Sequence, residues 1–559
     1  MPRLMWGGED VFTHTIIVGP TRCGKTSTLI KPLIYQILMA KARGYKCGLS
    51  VVEPKGDVAK FTVDLARELG MKAYHLDPAL EAPEESDRVN LMKGPADDVA
   101  EATVAVLKSM FGKQEAFFQT VQELTARNFI KLLKTNHGDN LDMISVLRAL
   151  RDEEILKKET LLLERSGADP DLHSFFVHEM KGRTGDKWRE FSLGLRAQLE
   201  NLFSNSHLSP IINGDTGLNL DQHMAEGGIL GVNTALGKLR RSGDAFGQFI
   251  TMHLQSAAFR RPGTERTRIP HYLIIDEMSR YINPDTERFL SIAAEYRVAG
   301  IFALQSFSQL EISTGDLSGK SIRTAILTNC RNKISFGGLS NEDAEYFAKE
   351  LGKDWEMRRE NTYAGDVLAD FFPKTYRDTE TENYRIRPTD IQDGLPRFHF
   401  IHKLTREGHP CKPGIAVGAF VPDDWRERAR ELTKKQEASK SRGFFSFWKK
   451  NKETPPEMGL VRADTVPERD VPEQAQTIRP APEPPQTNDH SNSLTNDHSK
   501  QQTEKPEQIR QQAKTGSKSQ TPSSPSAQGT KKKIIVNQKI KTDNDKKAEE
   551  LKRLNDNFI

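Results

Sequence analysis

Cysteine is scarce in this chain. There are four in 559 residues (Cys23, Cys47, Cys330 and Cys411), with no C-x-x-C pair and no zinc-like spacing. That excludes a disulfide framework and a cysteine-held structural metal, and it fits a reducing cytoplasm. Long apolar runs are missing as well. No stretch approaches the roughly 20 apolar residues that cross a bilayer. The opening MPRLMWGGED lacks the apolar segment of a secretory signal. The chain is therefore expected to be soluble by itself. Strong charge of either sign is also absent: the formal net charge is +4, which permits an anionic partner without requiring one.

Against these absences stands one dense motif. Residues 19–26, GPTRCGKT, match G-x-x-x-x-G-K-[ST] at every fixed position. A β-branched run (Thr13, Thr15, Ile16, Ile17, Val18) leads in, and a helix-competent stretch, 29–42, leads out. Strand before and helix after are the setting in which this pattern binds phosphates. Glycines let successive backbone N–H groups face one anion, and the helix N-terminus adds partial positive charge. Gly19, Pro20, Thr21, Arg22, Cys23, Gly24, Lys25, Thr26 and Ser27 are thus the expected nucleotide-binding residues. Lys25 would reach the β/γ-phosphates and the Thr26 hydroxyl would hold Mg²⁺.

The rest of the chain is uneven. Strands are expected at 15–19, 48–53 and 71–76, alternating with helices, which argues for a parallel sheet covered on both faces. From about 95 to 210 strand signals vanish, and helical periods appear at 99–111, 117–133, 141–150, 153–164 and 188–202. This reads as an all-helical insert. Its charged residues, among them Lys181, Arg183, Lys187, Arg189 and Arg196, are either solvated helix faces or contacts to nucleic-acid phosphates. The α/β rhythm resumes with strands at 228–232, 271–275, 300–304 and 332–336 and helices at 243–259, 286–296 and 341–351. An irregular polar region and a last strand pair near 398–403 follow, and the ordered core is expected to end between 425 and 435. The division is 1–94 and 216–435 for the two parts of the α/β domain, 95–215 for the insert and 436–559 for a tail. Residues 451–530 hold 11 of the 29 prolines and few large apolar side chains, so the tail is expected to be disordered. Within it, 443–452 (GFFSFWKKNK) sets four aromatics beside three lysines: a membrane-interface anchor, a docking motif or a patch folded on the core. The lysine-rich end, 531–559, is a partner-binding peptide or a solubilising end.

Hydrolysis needs acids at the tip of a second strand. Tyr272, Leu273, Ile274 and Ile275 run into Asp276 and Glu277. Asp276 would bind Mg²⁺ opposite Thr26, and Glu277 would act as general base on the attacking water. The adjacent acidic pair suits an ATPase that turns over as a motor, and no guanine-reading N-K-x-D stands in a suitable place, so ATP is favoured. The next strand ends in Gln305, where a polar tip can contact the γ-phosphate.

Six segments, GPTRCGKTS, VVEPKGD, HLDP with Asn90 after it, IIDEM, EYRVAGIFALQSFSQLE and ILTNCRNKISFGGLSNEDAEYFAKELG, together resemble the type IV coupling proteins, the TraG/TraD-like conjugative ATPases, across 19–352. Looser similarity continues to about 420. The resemblance implies a RecA-like P-loop NTPase domain with an all-α insert, assembled as a homo-hexamer at the inner membrane. It implies partners: single-stranded DNA bound by a relaxase, the relaxase, and the type IV secretion channel. It assigns Lys25 and Thr26 to the phosphate loop, Asp276 and Glu277 to metal binding and water activation, and Gln305 to the sensor position. It also implies that Arg297 acts from a neighbouring subunit. Lys55 and Asp57, in VVEPKGD, are expected to line the site.

The chain departs from that family in three ways: Arg22-Cys23 where small residues are usual, Glu53 where Asp is usual, and only 18 residues before Gly19. Members usually carry transmembrane helices there. The expectation is therefore a cytoplasmic protein, peripheral at the cytoplasmic face of the membrane, brought there by a partner or by 443–452. Two other readings stay open: a DNA translocase of the FtsK or HerA type, and a docking platform that ATP merely orders.

Overall fold

The computed structural model describes residues 3–442 and 459–462, apart from 6, 111–115, 180–192, 198, 201–204, 214–216, 284, 312–317 and 363–374. The described residues all belong to one compact unit within 1–472, and 473–559 lie outside the described residues. The tail segments 443–452 and 531–559 and the insert's Lys181, Arg183, Lys187 and Arg189 also lie outside them.

Short strands build the sheet: β1 (Arg3–Met5), β2 (Thr15–Val18), β3 (Gly48–Glu53), β4 (Tyr74–Leu76), β5 (Ile229–Asn233), β6 (His271–Ile275), β7 (Val298–Leu304) and β8 (Asn332–Phe336). Lys353–Thr362 (β9) and Thr375–Tyr384 (β10) follow, then β11 (His399–Lys403), the small pair β12 (Thr405–Arg406) and β13 (His409–Pro410), β14 (Gly414–Val417) and β15 (Gly459–Arg462). The order across the main sheet is β1-β15-β14-β11-β8-β2-β7-β6-β3-β5-β4. From β8 to β4 all neighbours are parallel, whereas β11 pairs antiparallel with both β8 and β14, so that β14 again runs in the direction of β8.

Every residue of β2, β3, β5, β6, β7 and β8 is buried, as strands covered on both faces require. Alternation assigns the faces: Ile16 and Val18 join one core, Ile17 the other. Helices Lys31–Ala42 and Asp57–Glu68 cover the second face through Leu33, Ile37, Phe61 and Leu65. Helix Arg241–Phe259 covers the first with Phe246, Phe249 and Ile250. Beside it lie helices Ala96–Met110, Ala116–His137, Met143–Arg151 and Glu153–Ser166. Their Val99, Phe129, Leu147 and Leu163 share one core with Ile16 and Leu273. The helical stretch thus packs as a continuation of the sheet's own core.

Several local expectations need correction. The helix read at 286–296 stops at Ile292, and the final helix, Trp425–Arg442, runs past 435. Most of the helix read at 188–202 falls outside the described residues. The polar region after Leu351 is regular: β9 and β10 form an antiparallel ribbon paired from Lys353↔Tyr384 to Thr362↔Thr375. It lacks apolar alternation because its cross-strand pairs are largely charged, such as Arg359 with Asp378 at 2.7 Å.

Candidate nucleotide and metal site

The site grows from the carboxyl edge of the parallel strands, where α/β ligands gather. The phosphate loop follows β2, Gln305 follows β7, Asp276 and Glu277 follow β6, and Glu53 closes β3. Because β7 lies between β2 and β6, Gln305 stands between the loop and the acids. Sequence order alone does not show this.

Gly24 sits at φ 112, a left-handed conformation that favours glycine, and a Cβ there would lie 2.7 Å from the Phe398 ring. Gly19 is equally constrained: a Cβ would meet Cys23 Sγ at 2.7 Å and Phe336 Cβ at 2.8 Å. Beyond the loop, Lys25–Ile30 make a wide π-type turn before the α-helix starts at Lys31, a distortion common at functional sites. Lys25 is buried, and its ammonium donates to the carbonyls of Gly19 and, at 3.4 Å, Pro20. It therefore lies within the loop that would wrap a phosphate.

The Thr26 hydroxyl donates to Asp276 Oδ2 at 3.4 Å. The two oxygens that the sequence assigns to a metal are thus neighbours although 250 residues apart. A hydroxyl and a carboxylate are the hard donors Mg²⁺ takes beside water and phosphate. Burial raises the Asp276 carboxyl above its ordinary range, and the charge of Glu277 adds to this. A cation bound there would relieve both effects. Glu277 has φ 59, and its Oε1 accepts from Gln305 Nε2 at 2.8 Å. Gln305 Oε1 accepts from the Thr21 hydroxyl at 3.2 Å. The expected residues Thr21, Lys25, Thr26, Asp276, Glu277 and Gln305 are therefore brought together.

Lys55 and Asp57 line the same cleft, of about 360 Å³, and Asp57 pairs with Lys31 at 2.7 Å. Glu53 is buried behind it, accepting from the N–H groups of Val58 (2.7 Å), Ala59 (3.0 Å) and Lys55 (3.2 Å). Its carboxylate caps the helix Asp57–Glu68, and burial lifts its pKa to about 7.

Arg297 is the exception. It precedes β7, so it stands at the opposite edge of the sheet, seven strand residues from Gln305. At about 3.3 Å per residue that is over 20 Å from its own chain's acids. Its guanidinium pairs with Glu9 and lies 4.3 Å from the centre of the Phe12 ring. Besides Lys31, on the helix after the loop, three cleft residues escaped the sequence reading: Arg397, Phe398 and Phe420. Arg397 and Phe398 precede the reversed strand β11 and Phe420 follows β14, and no local motif marks them.

A model of the family described as type IV secretory system conjugative DNA transfer matches residues 4–366, more than half of the chain. Among curated proteins, none matches it in sequence. In fold it is similar to the bacterial conjugative coupling protein TrwBdeltaN70 in its unbound monoclinic form. That match has TM-score 0.53 and 18% identity, covering 74% of this chain and 86% of that one. It is similar also to the plasmid coupling protein TrwB with the ATP analogue ADPNP (TM-score 0.50, 17% identity, 74% and 86% covered). A third match is TrwB with ADP and Mg²⁺ (TM-score 0.50, 16% identity, 75% and 88% covered).

Proposed function

The chain belongs to the type IV secretory conjugative DNA transfer family, and on that premise we propose that it is an ATP-hydrolysing motor that moves single-stranded DNA, or a DNA–protein complex, toward a secretion channel. The observation that carries the chemistry is the meeting of Thr26 with Asp276, and of Thr21 and Glu277 with Gln305, at the edge of one sheet. Loop N–H groups and Lys25 would hold the β- and γ-phosphates. Thr26 and Asp276 would hold Mg²⁺, which when bound neutralises charge on the phosphate oxygens. Glu277 would take the proton of the attacking water, and Gln305 would fix where its carboxylate points. That TrwB holds ADP with Mg²⁺ and an ATP analogue supports this choice of ligands.

The partners proposed are relaxase-bound DNA, the relaxase, channel components and further copies of this chain in a hexamer. Among the described residues no helix is long and apolar enough to cross a membrane. We propose that a partner protein or the segment 443–452 brings the chain to the membrane.

The test is ATP turnover by the purified chain with and without single-stranded DNA. DNA is expected to raise the rate, and Lys25→Ala to abolish it. A wild-type chain that binds ATP yet shows no DNA-stimulated hydrolysis would instead be a platform ordered by nucleotide.

A further inference from the structure

A hollow of about 670 Å³, larger than the nucleotide cleft, lies elsewhere among the described residues. Its walls are the helices Gly319–Asn329 and Asn341–Leu351, and its floor is the start of β8 and the end of β11. The first helix begins against Glu311, whose backbone a Cβ on Gly319 would meet at 2.5 Å. It runs back across the sheet, because β8, which follows it, starts at the edge opposite the phosphate loop. Lys320, Arg323, Leu327 and Thr328 share one helix face toward the hollow, and Arg331 follows just past the helix. From Lys320 to Thr328 is two helical turns, about 12 Å. The hollow is a groove, longer than one phosphate group.

Its charge is one-sided. Five cations and two carboxylates line it, in a chain whose formal net charge is only +4. Lys333 and Lys403 stand directly opposite each other in the β8–β11 ladder, a like-charge pairing that costs stability. One carboxylate serves both: Glu350 Oε1 lies 2.6 Å from the Lys333 ammonium and 3.5 Å from that of Lys403. Arg323 takes the other, Glu311, at 2.6 Å. Among the described residues this leaves Lys320 and Arg331 without a carboxylate, and the Arg331 guanidinium donates to Gly408 O at 2.9 Å. Tyr346, the aromatic ring of the lining, is already engaged. The Arg323 guanidinium lies 5.2 Å from its centre, and Phe307 meets it edge to face at 5.1 Å. The groove offers charge and threonine hydroxyls, not a stacking surface.

We infer that this groove holds the sugar–phosphate backbone of single-stranded nucleic acid without regard to sequence, and that Glu311 competes with the phosphates for Arg323. The choice of polyanion rests on the DNA-motor reading above; the site rests on the groove itself. Lysine and arginine contacts to phosphates give affinity that carries no sequence information. Without an open ring, the groove also lacks the stacking through which single-strand binders acquire base preferences. Lys333, buried on a floor between two helices, is within reach of a strand but not of a duplex. The groove also meets the acidic site. Gln305 and Glu311 flank one short turn, Phe307–Leu310, capped by Ser306. Gln309 in that turn accepts from the Gln305 N–H at 3.1 Å. A phosphate that takes Arg323 from Glu311 therefore acts on the segment that carries Gln305.

Fluorescence anisotropy of the full chain with labelled oligothymidylate and oligodeoxyadenylate, at several salt concentrations, tests this. The wild type is expected to bind the two strands within about threefold of each other. Lys320→Ala combined with Arg331→Ala should weaken both by about tenfold and lower the salt slope by about 1.4, the share of two phosphates. Binding of a non-hydrolysable ATP analogue should stay unchanged, which shows that the variant is folded. Glu311→Gln, which frees Arg323, should tighten strand binding by about threefold, a gain that a misfolded chain cannot give. Duplex binding should respond to neither change. Strand affinity and salt slope unaltered in the double variant overturn the inference. So does an equal loss for duplex, or a loss seen only with vesicles of anionic phospholipid. The two levels of argument separate. DNA-stimulated turnover with strand binding indifferent to the double variant leaves the motor without this groove; a wild type that binds no strand overturns both.

Discussion

Gln305 donates to Glu277 with its amide nitrogen and accepts from Thr21 with its amide oxygen. Only a carboxamide offers both at one branch point. Its backbone N–H is held in turn by Gln309 Oε1 at 3.1 Å, which fixes the tip of β7. In the proposed mechanism Gln305 would aim the general base from the phosphate loop, to which Thr21 ties it. Gln305→Ala is expected to lower kcat by about tenfold or more and to leave the KM for ATP within about twofold. Glu277→Gln, which removes the proposed base, should lower kcat by about 10²–10⁴. Steady-state kinetics checks both, and a KM effect without a kcat effect would make Gln305 a binding residue instead. The loop, the acids and Gln305 were legible in the sequence because each ends a short apolar strand and carries its chemistry within a few positions. Phe398 and Phe420 were not, because an aromatic beside a late strand looks like core until strand order sets it against Gly24.

Glu53 shows how an element can carry a pH dependence. Its carboxylate caps the helix Asp57–Glu68, but it is buried, and that burial outweighs the three N–H donors favouring the ion and lifts its pKa to about 7. In the unfolded chain it titrates near an ordinary glutamate, at about 4.3. The folded chain thus binds more protons between these values. Its stabilising contribution is full below about pH 4.3 and is lost as pH rises through 7, by up to about 1.4 kcal/mol per pH unit. Glu53→Gln keeps an oxygen for the helix N–H groups and removes the titration. Relative to wild type it should gain melting temperature at pH 8 over its value at pH 5; equal differences at both pH values would refute the shift. At this scale the sequence was a good guide to buried strands: the expected limits 48–53, 271–275 and 332–336 are those of β3, β6 and β8. It was a poor guide to the ribbon β9–β10, whose Trp355 and Met357 are exposed and whose pairing is carried by main chain and charge.

In the whole molecule, Arg297 is beyond reach of its own chain's acids, with its charge committed to Glu9 and its face to Phe12. An arginine so placed can serve γ-phosphate chemistry only from another copy. A head-to-tail ring permits this, because it joins two different surfaces of the subunit. The site edge of one copy would face the Arg297 edge of the next, and Arg297 would exchange Glu9 for phosphate oxygens. Arg297→Ala alone cannot decide the matter, since losing the ion pair and the stacking also destabilises the N-terminal turn Gly8–Thr13. Mixing can. Lys25→Ala breaks the loop and Arg297→Ala breaks the donated arginine, so each pure variant is expected to be inactive. In a mixed ring, interfaces joining the loop of an Arg297→Ala subunit to the arginine of a Lys25→Ala subunit are intact. Co-assembled equal amounts of the two are expected to recover roughly a quarter of wild-type turnover. A mixture as inactive as its parents would instead leave Arg297 as a residue that pins Glu9 and Phe12 to the sheet.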